Sequence, residues 1–150
     1  MKQTLLSFLL VLMPIMASAD AVEIDGIYYN LQTDNKIAEV TYPKNITGYY
    51  NGDVNIPSSV VYDGVTYDVS SIGVDAFNNC SGLTSVTIPN SVTSICIFAF
   101  SGCTGLTSVT IPNSVTSIGI SAFAYCYKLT SVTIPNSMTS IGNGAFCDCI

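Results

Sequence analysis

The sequence contains no histidine, no arginine and no tryptophan. Without His there is no His-based catalytic triad and no imidazole ligand for zinc. Charge is scarce as well. Only 9% of the 150 residues are charged, against about a quarter in an ordinary soluble domain. The basic side chains are four lysines in a chain of formal net charge −6. With no basic cluster to neutralise phosphates, these features argue against a nucleic-acid partner. Between Ile72 and Ile150 the only charged side chains are Asp75, Lys128 and Asp148. Solubility there must come from Ser, Thr and Asn.

What the sequence has is a repeat. Ile72, Ile95, Ile118 and Ile141 recur at a spacing of 23 residues. So do Phe77, Phe100, Phe123 and Phe146, and Cys80, Cys103, Cys126 and Cys149. Leu83, Leu106 and Leu129 keep the same frame, as do Val86, Val109 and Val132, and the Ile-Pro pairs at Ile88, Ile111 and Ile134. A fixed period of 20 to 29 residues enclosing L-x-x-V-x-I signals a leucine-rich-repeat solenoid. One unit offers about six large apolar side chains, each stabilising by ~1.5–3 kcal/mol when buried. Ordering a residue costs roughly 1.5 kcal/mol, so a lone unit cannot fold and neighbours must close each other's core.

Within a unit, Leu106, Val109 and Ile111 are expected to point inward and Ser108 and Thr110 outward, by period 2. Pro112 ends that strand. Val115–Ile118 reads as a second short strand. Ile118, Ala122, Phe123 and Cys126 are spaced for a helical turn packed inward, with an irregular turn as the alternative. Stacking then makes outward ladders of Thr87, Thr110 and Thr133, and of Thr93, Thr116 and Thr139.

The expected organisation has three parts. Residues 1–19 read as a secretory signal peptide. Lys2 is its positive region, Leu5–Met16 its apolar core and Ala17-Ser18-Ala19 its cleavage site, so the mature chain is expected to begin at Asp20 without a transmembrane segment. Residues 20–53 read as a small β-rich cap, with an Asp25-Gly26 hairpin turn and strands on either side of Thr33–Lys36. Residues 54–150 are the repeats. Val54-Asn55-Ile56-Pro57 opens the first of them, interrupted by a hairpin insertion at about residues 61–69 around Asp63-Gly64. The last repeat is incomplete, and its end is expected to expose apolar surface and an unpaired strand edge open to self-association or to continuation of the chain.

At these residues the chain resembles the BspA-like leucine-rich-repeat surface proteins. Ser121 to Gly142 follows that family's unit residue by residue, with Met138 where Val is usual, and the I-D-G-I-Y-Y-N-L opening is similar to the N-terminal part of members from gut and mouth anaerobes. The resemblance implies an exported, surface-displayed protein that adheres to an extracellular protein of the host matrix or to other cells. A structural segment of a larger surface assembly is the alternative, and an enzyme acting on surface polymers is disfavoured by the missing His. No cofactor is expected.

Candidate sites are sparse. Ladder cysteines lie about 5 Å apart, near disulfide reach, though buried thiols are the commoner reading. Cys147-Asp148-Cys149 lacks the second pair that a zinc site needs. Glu23 and Asp25 share a strand face and could act as a carboxylate pair or simply be solvated. Aromatic anchors are expected at the inserted hairpin, Tyr62 and Tyr67, next to the ladder residues Thr87 and Thr110. Phe98, Tyr125 and Tyr127 on the outer turn come next.

Overall fold

The computed structural model describes residues 21–149. The expected signal peptide lies outside them. Three strands open the chain: β1 (Val22–Ile24), β2 (Ile27–Gln32) and β3 (Ile37–Thr41). They form an antiparallel meander. The turn between β1 and β2 places Asp25 and Gly26 both at positive φ, 50° and 81°, as a two-residue hairpin loop with right-handed strand twist requires.

The coils follow. Strand β4 (Gly52–Asn55) leads to a hairpin of β5 (Ser59–Tyr62) and β6 (Val65–Ile72). Then come β7 (Leu83–Thr87), β8 (Ser94–Ile95), β9 (Ser108–Thr110), β10 (Ser117–Ile118), β11 (Val132–Thr133) and β12 (Ser140–Ile141). Two sheets result. The larger runs β1-β2-β3-β6-β8-β10-β12, with β5 beside β6; the smaller runs β4-β7-β9-β11. From β6 onward the larger sheet is parallel along its main path, as is all of the smaller one.

The register obeys the repeat. Ile72 pairs with Ile95, Ile95 with Ile118 and Ile118 with Ile141. Val54 pairs with Val86 and Asn55 with Thr87, an offset longer than the period by the length of the inserted hairpin. This is a leucine-rich-repeat solenoid with a β cap at its N-terminal end.

The segment after each Ile is not helical. Among the described residues no helix forms, and the irregular alternative holds. Hydrogen bonding shows why. In one coil Ala99, Ser101 and Cys103 donate three residues back, to Cys96, Phe98 and Phe100. The residues between them, Phe98, Phe100 and Gly102, donate across to Ile120, Ala122 and Ala124 of the next coil. A helix needs every N–H in its own i−4 ladder, and here half are spent between coils. Two positions per coil are left-handed, which also cuts a helix: Asp75, Phe98, Ser121 and Gly144, then Asn79, Gly102, Tyr125 and Asp148, with φ between 52° and 73°.

The core is a set of ladders. Phe77, Phe100, Phe123 and Phe146 stack with ring centroids 4.8, 5.0 and 5.2 Å apart and planes within 6°. Tyr50 closes the N-terminal end of this spine, 4.5 Å from Phe77. Its hydroxyl donates to Thr41 O at 2.6 Å and accepts from Tyr28 N–H at 3.0 Å, so burying it leaves no polar atom unpaired. At the other end Phe146 is half-buried and Ile134 and Ile141 are exposed. A cavity of about 250 Å³ there is lined by Leu129, Val132, Phe146 and Cys149 among others.

Candidate binding surface

The smaller sheet presents rows of identical side chains. Ser85, Ser108 and Ser131 occupy one row, and Thr87, Thr110 and Thr133 another. The rows exist because outward residues two apart on a strand repeat in every coil, and parallel strands stack at about 4.8 Å. Between two coils runs an open groove of about 480 Å³, lined by Val86, Thr87, Ile88, Asn90, Thr110 and Asn113 with neighbouring residues. Thr87 and Thr110 are exposed, and Val86 and Ile88 beneath them are buried.

The Thr rows are chemically unequal. Thr93, Thr116 and Thr139 each donate the side-chain hydroxyl to a carbonyl 23 residues back, at 2.9–3.3 Å. Thr107 does the same to Thr84 O at 3.2 Å. These hydroxyls tie coil to coil. Among the described residues, Thr87 and Thr110 make no such bond, so their donors and acceptors are left to solvent or to a ligand.

The aromatic candidates are placed differently from expectation. Tyr67 is buried, 4% exposed, and is not available to a partner. It alternates in phase with Val69, facing the core, and pairs across the hairpin with buried Val60. Tyr62, nearer the tip, is 40% exposed. The hairpin belongs to the larger sheet and Thr87 and Thr110 to the smaller one, and the Thr groove has no hairpin residue in its lining. The structure therefore does not bring Tyr62 and the two threonines into one groove.

Phe98, Tyr125 and Tyr127 are exposed. Phe98 and Tyr125 hold φ of 55° and 60°, a region where a bulky side chain is a steric outlier. A further row escaped the sequence reading: Val74, Ile97 and Ile120 are 52%, 40% and 46% exposed. Their spacing of 23 was visible, but nothing in it says whether an apolar row faces in or out.

Three of the ladder thiols tie coil to coil. All six cysteines are free. Cys103, Cys126 and Cys149 donate to Phe77 O, Phe100 O and Phe123 O of the preceding coil, at 3.0–3.2 Å. Burial first, then the neighbouring Cys149, pushes the Cys126 thiol up to about 12, and burial raises Cys103 as well. Such thiols are poor nucleophiles at neutral pH. Cys147 is exposed, and its hydrogen bond to Asp148 raises it too. No group of three or more His, Cys, Asp or Glu side chains is placed to hold a metal among the described residues. Glu23 accepts a hydrogen bond from Tyr28 Oη at 2.9 Å, while Asp25 lies in the hairpin turn outside β1.

A family profile described as the BspA type leucine rich repeat region matches residues 64–150, in six copies. Among solved structures, a leucine-rich repeat protein from Bacteroides ovatus is 37% identical with a TM-score of 0.74, over 85% of this chain and 33% of that one. A leucine-rich repeat protein from Bacteroides capillosus is 29% identical with a TM-score of 0.70, over 83% and 94%. The leucine rich repeat protein of T. pallidum is 26% identical with a TM-score of 0.62, over 86% and 67%. The chain thus spans about a third of the length of the Bacteroides ovatus protein. No curated protein matches it.

Proposed function

The chain belongs to the BspA-type leucine-rich-repeat family, and from that premise we propose that it is an exported, surface-displayed binding module adhering to an extracellular protein, of the host matrix or of another cell. The observation that carries this reading is the inequality of the Thr rows. One row spends its hydroxyls holding coils together, while the row at Thr87 and Thr110 leaves them free above a groove of about 480 Å³. A row of free hydroxyls at fixed spacing supports many weak hydrogen bonds, whose sum grows with the number of coils engaged.

Export is read from the leader at Met1–Ala19. Among the described residues no helix is long and apolar enough to cross a membrane. A binder fits better than a catalyst, because the sequence has no His and, among the described residues, no group of three or more Cys, Asp or Glu side chains is gathered to hold a metal.

The test uses a panel of purified matrix proteins, immobilised and titrated with the mature chain. Thr87→Ala with Thr110→Ala is expected to weaken capture about tenfold while leaving the melting temperature near that of the parent. Thr93→Ala with Thr116→Ala is expected to lower the melting temperature and to spare capture by the chains that remain folded. Equal capture by the first pair would move the site elsewhere, with Tyr62→Ala and then Phe98→Ala the next variants. Capture by no panel member would favour the role of a segment within a larger surface assembly. Exported protein whose N-terminus is still Met1 rather than Asp20 would refute cleavage of the leader.

A further inference from the structure

Among the described residues, the smaller sheet has a free edge at the cap end. Gly52 N–H of β4 donates to Gly82 O at 2.8 Å, and Ile56 N–H, just past β4, donates to Thr87 O at 3.1 Å. Backbone groups alternate sides along a strand, so Asp53 and Asn55 turn their N–H and C=O away from β7. No described strand pairs there. A groove of about 380 Å³ runs along this edge, with Ile27, Tyr49, Tyr50 and Val54 in its lining beside the carboxylates of Asp25 and Asp53. Asp53 Oδ1 accepts from Thr84 Oγ1 at 2.7 Å and Ser85 Oγ at 2.6 Å. These bonds hold its carboxyl below the usual range and fix it in place, with Oδ2 left over. Asp25 and Asp53 are the charged residues in its lining, and no Lys is among them.

We propose that the β4 edge is a docking site for an extended, lysine- or arginine-bearing segment of another protein, which adds as a fifth strand to the smaller sheet. Main-chain hydrogen bonds to Asp53 and Asn55 supply the pairing, as in other strand-addition complexes. Alternate side chains of the incoming strand lie over the apolar floor at Ile27 and Val54. The basic residues meet Asp25 and Asp53, and the Tyr49 ring offers a cation–π face. The site is separate from the Thr groove, so it stands or falls independently of the adhesion reading.

The probe is a fluorescein-tagged peptide, acetyl-Val-Lys-Val-Lys-Val-Lys-amide, titrated with the full chain by anisotropy. Two control peptides carry Glu in place of Lys, or N-methyl groups on alternate amides. Binding by the Lys peptide is expected to fall about tenfold with Asp25→Asn plus Asp53→Asn, to fall with added salt, and to be lost with N-methylation. Asn55→Pro removes a donor that faces away from β7, a position where an edge strand tolerates Pro. It is expected to abolish binding while circular dichroism stays that of the parent. The N-methylated peptide tests the same hydrogen bonds without altering the protein. Equal binding of the Glu peptide, equal binding of the N-methylated peptide, or no binding of the Lys peptide would overturn the proposal. A concentration-dependent dimer of the chain that Asn55→Pro abolishes would assign the edge to a second copy and overturn it too.

Discussion

Replacing Phe123 by Ala tests whether the coils share one core. The ring is fully buried and is stacked between Phe100 at 5.0 Å and Phe146 at 5.2 Å, its plane nearly parallel to both. Removing a buried Phe costs ~3–5 kcal/mol through lost transfer energy and the cavity left behind. Each aromatic pair is worth ~0.5–1.5 kcal/mol beyond burial, and two pairs are lost, so the upper end of the range is expected. A domain of this size is stable by about 5–15 kcal/mol, so the change removes a large fraction of the total. Phe123→Leu keeps most of the volume and loses the stacking, and should cost roughly 1–3 kcal/mol. Phe146→Ala, at the half-buried end, should cost less than Phe123→Ala. Urea unfolding followed by circular dichroism ranks the three. Labelling of the buried thiols Cys103 and Cys126 reports coupling, because each donates to the backbone of the preceding coil. If Phe123→Ala accelerates labelling at Cys126 and leaves Cys80 and Cys103 protected as in the parent, the coils open singly and the argument from a shared spine fails.

Three other outcomes are expected. Tyr50→Phe removes the hydroxyl that joins Thr41 O to Tyr28 N–H; leaving both groups short of a partner should cost ~1–3 kcal/mol, and an unchanged denaturation midpoint would refute the cap's role. Gly119→Ala places a Cβ 2.5 Å from the Cys96 carbonyl carbon and the Ile97 nitrogen, which are backbone and cannot swing aside; a loss of ~1–3 kcal/mol is expected, whereas wild-type stability would mean the coils separate easily. Stability should also fall in alkali. The Cys126 thiol rises from 9.0 to about 12 on folding and the Tyr29 phenol from 10.0 to about 12, so between about pH 9 and 12 the unfolded chain gives up protons that the folded chain keeps, and by linkage its stability declines across that window. A melting temperature flat from pH 8 to 11 would contradict this.

The sequence by itself determined the coil. A core that is closed only by stacking demands the same apolar side chain at the same place in each unit, so the 23-residue period announced the ladders of Ile, Phe, Leu and Val, the strand register and the nine-residue interruption at the hairpin. It did not determine the conformation of the outer turn, because the spacing of Ile118, Ala122, Phe123 and Cys126 suits both a helix and a chain whose amides alternate between their own turn and the next coil. Left-handed φ at Phe98 and Tyr125 could not be read from residue types that avoid that region. Nor could composition separate the two Thr rows. Thr87 and Thr116 look alike in a sequence, and only the tertiary structure decides which hydroxyl finds a carbonyl of the coil behind it. The same holds for Tyr62 and Tyr67, five residues apart on one hairpin, and for the β4 edge. A strand's pattern says which side chains face the core, while its backbone is free or paired according to whether another strand lies beside it.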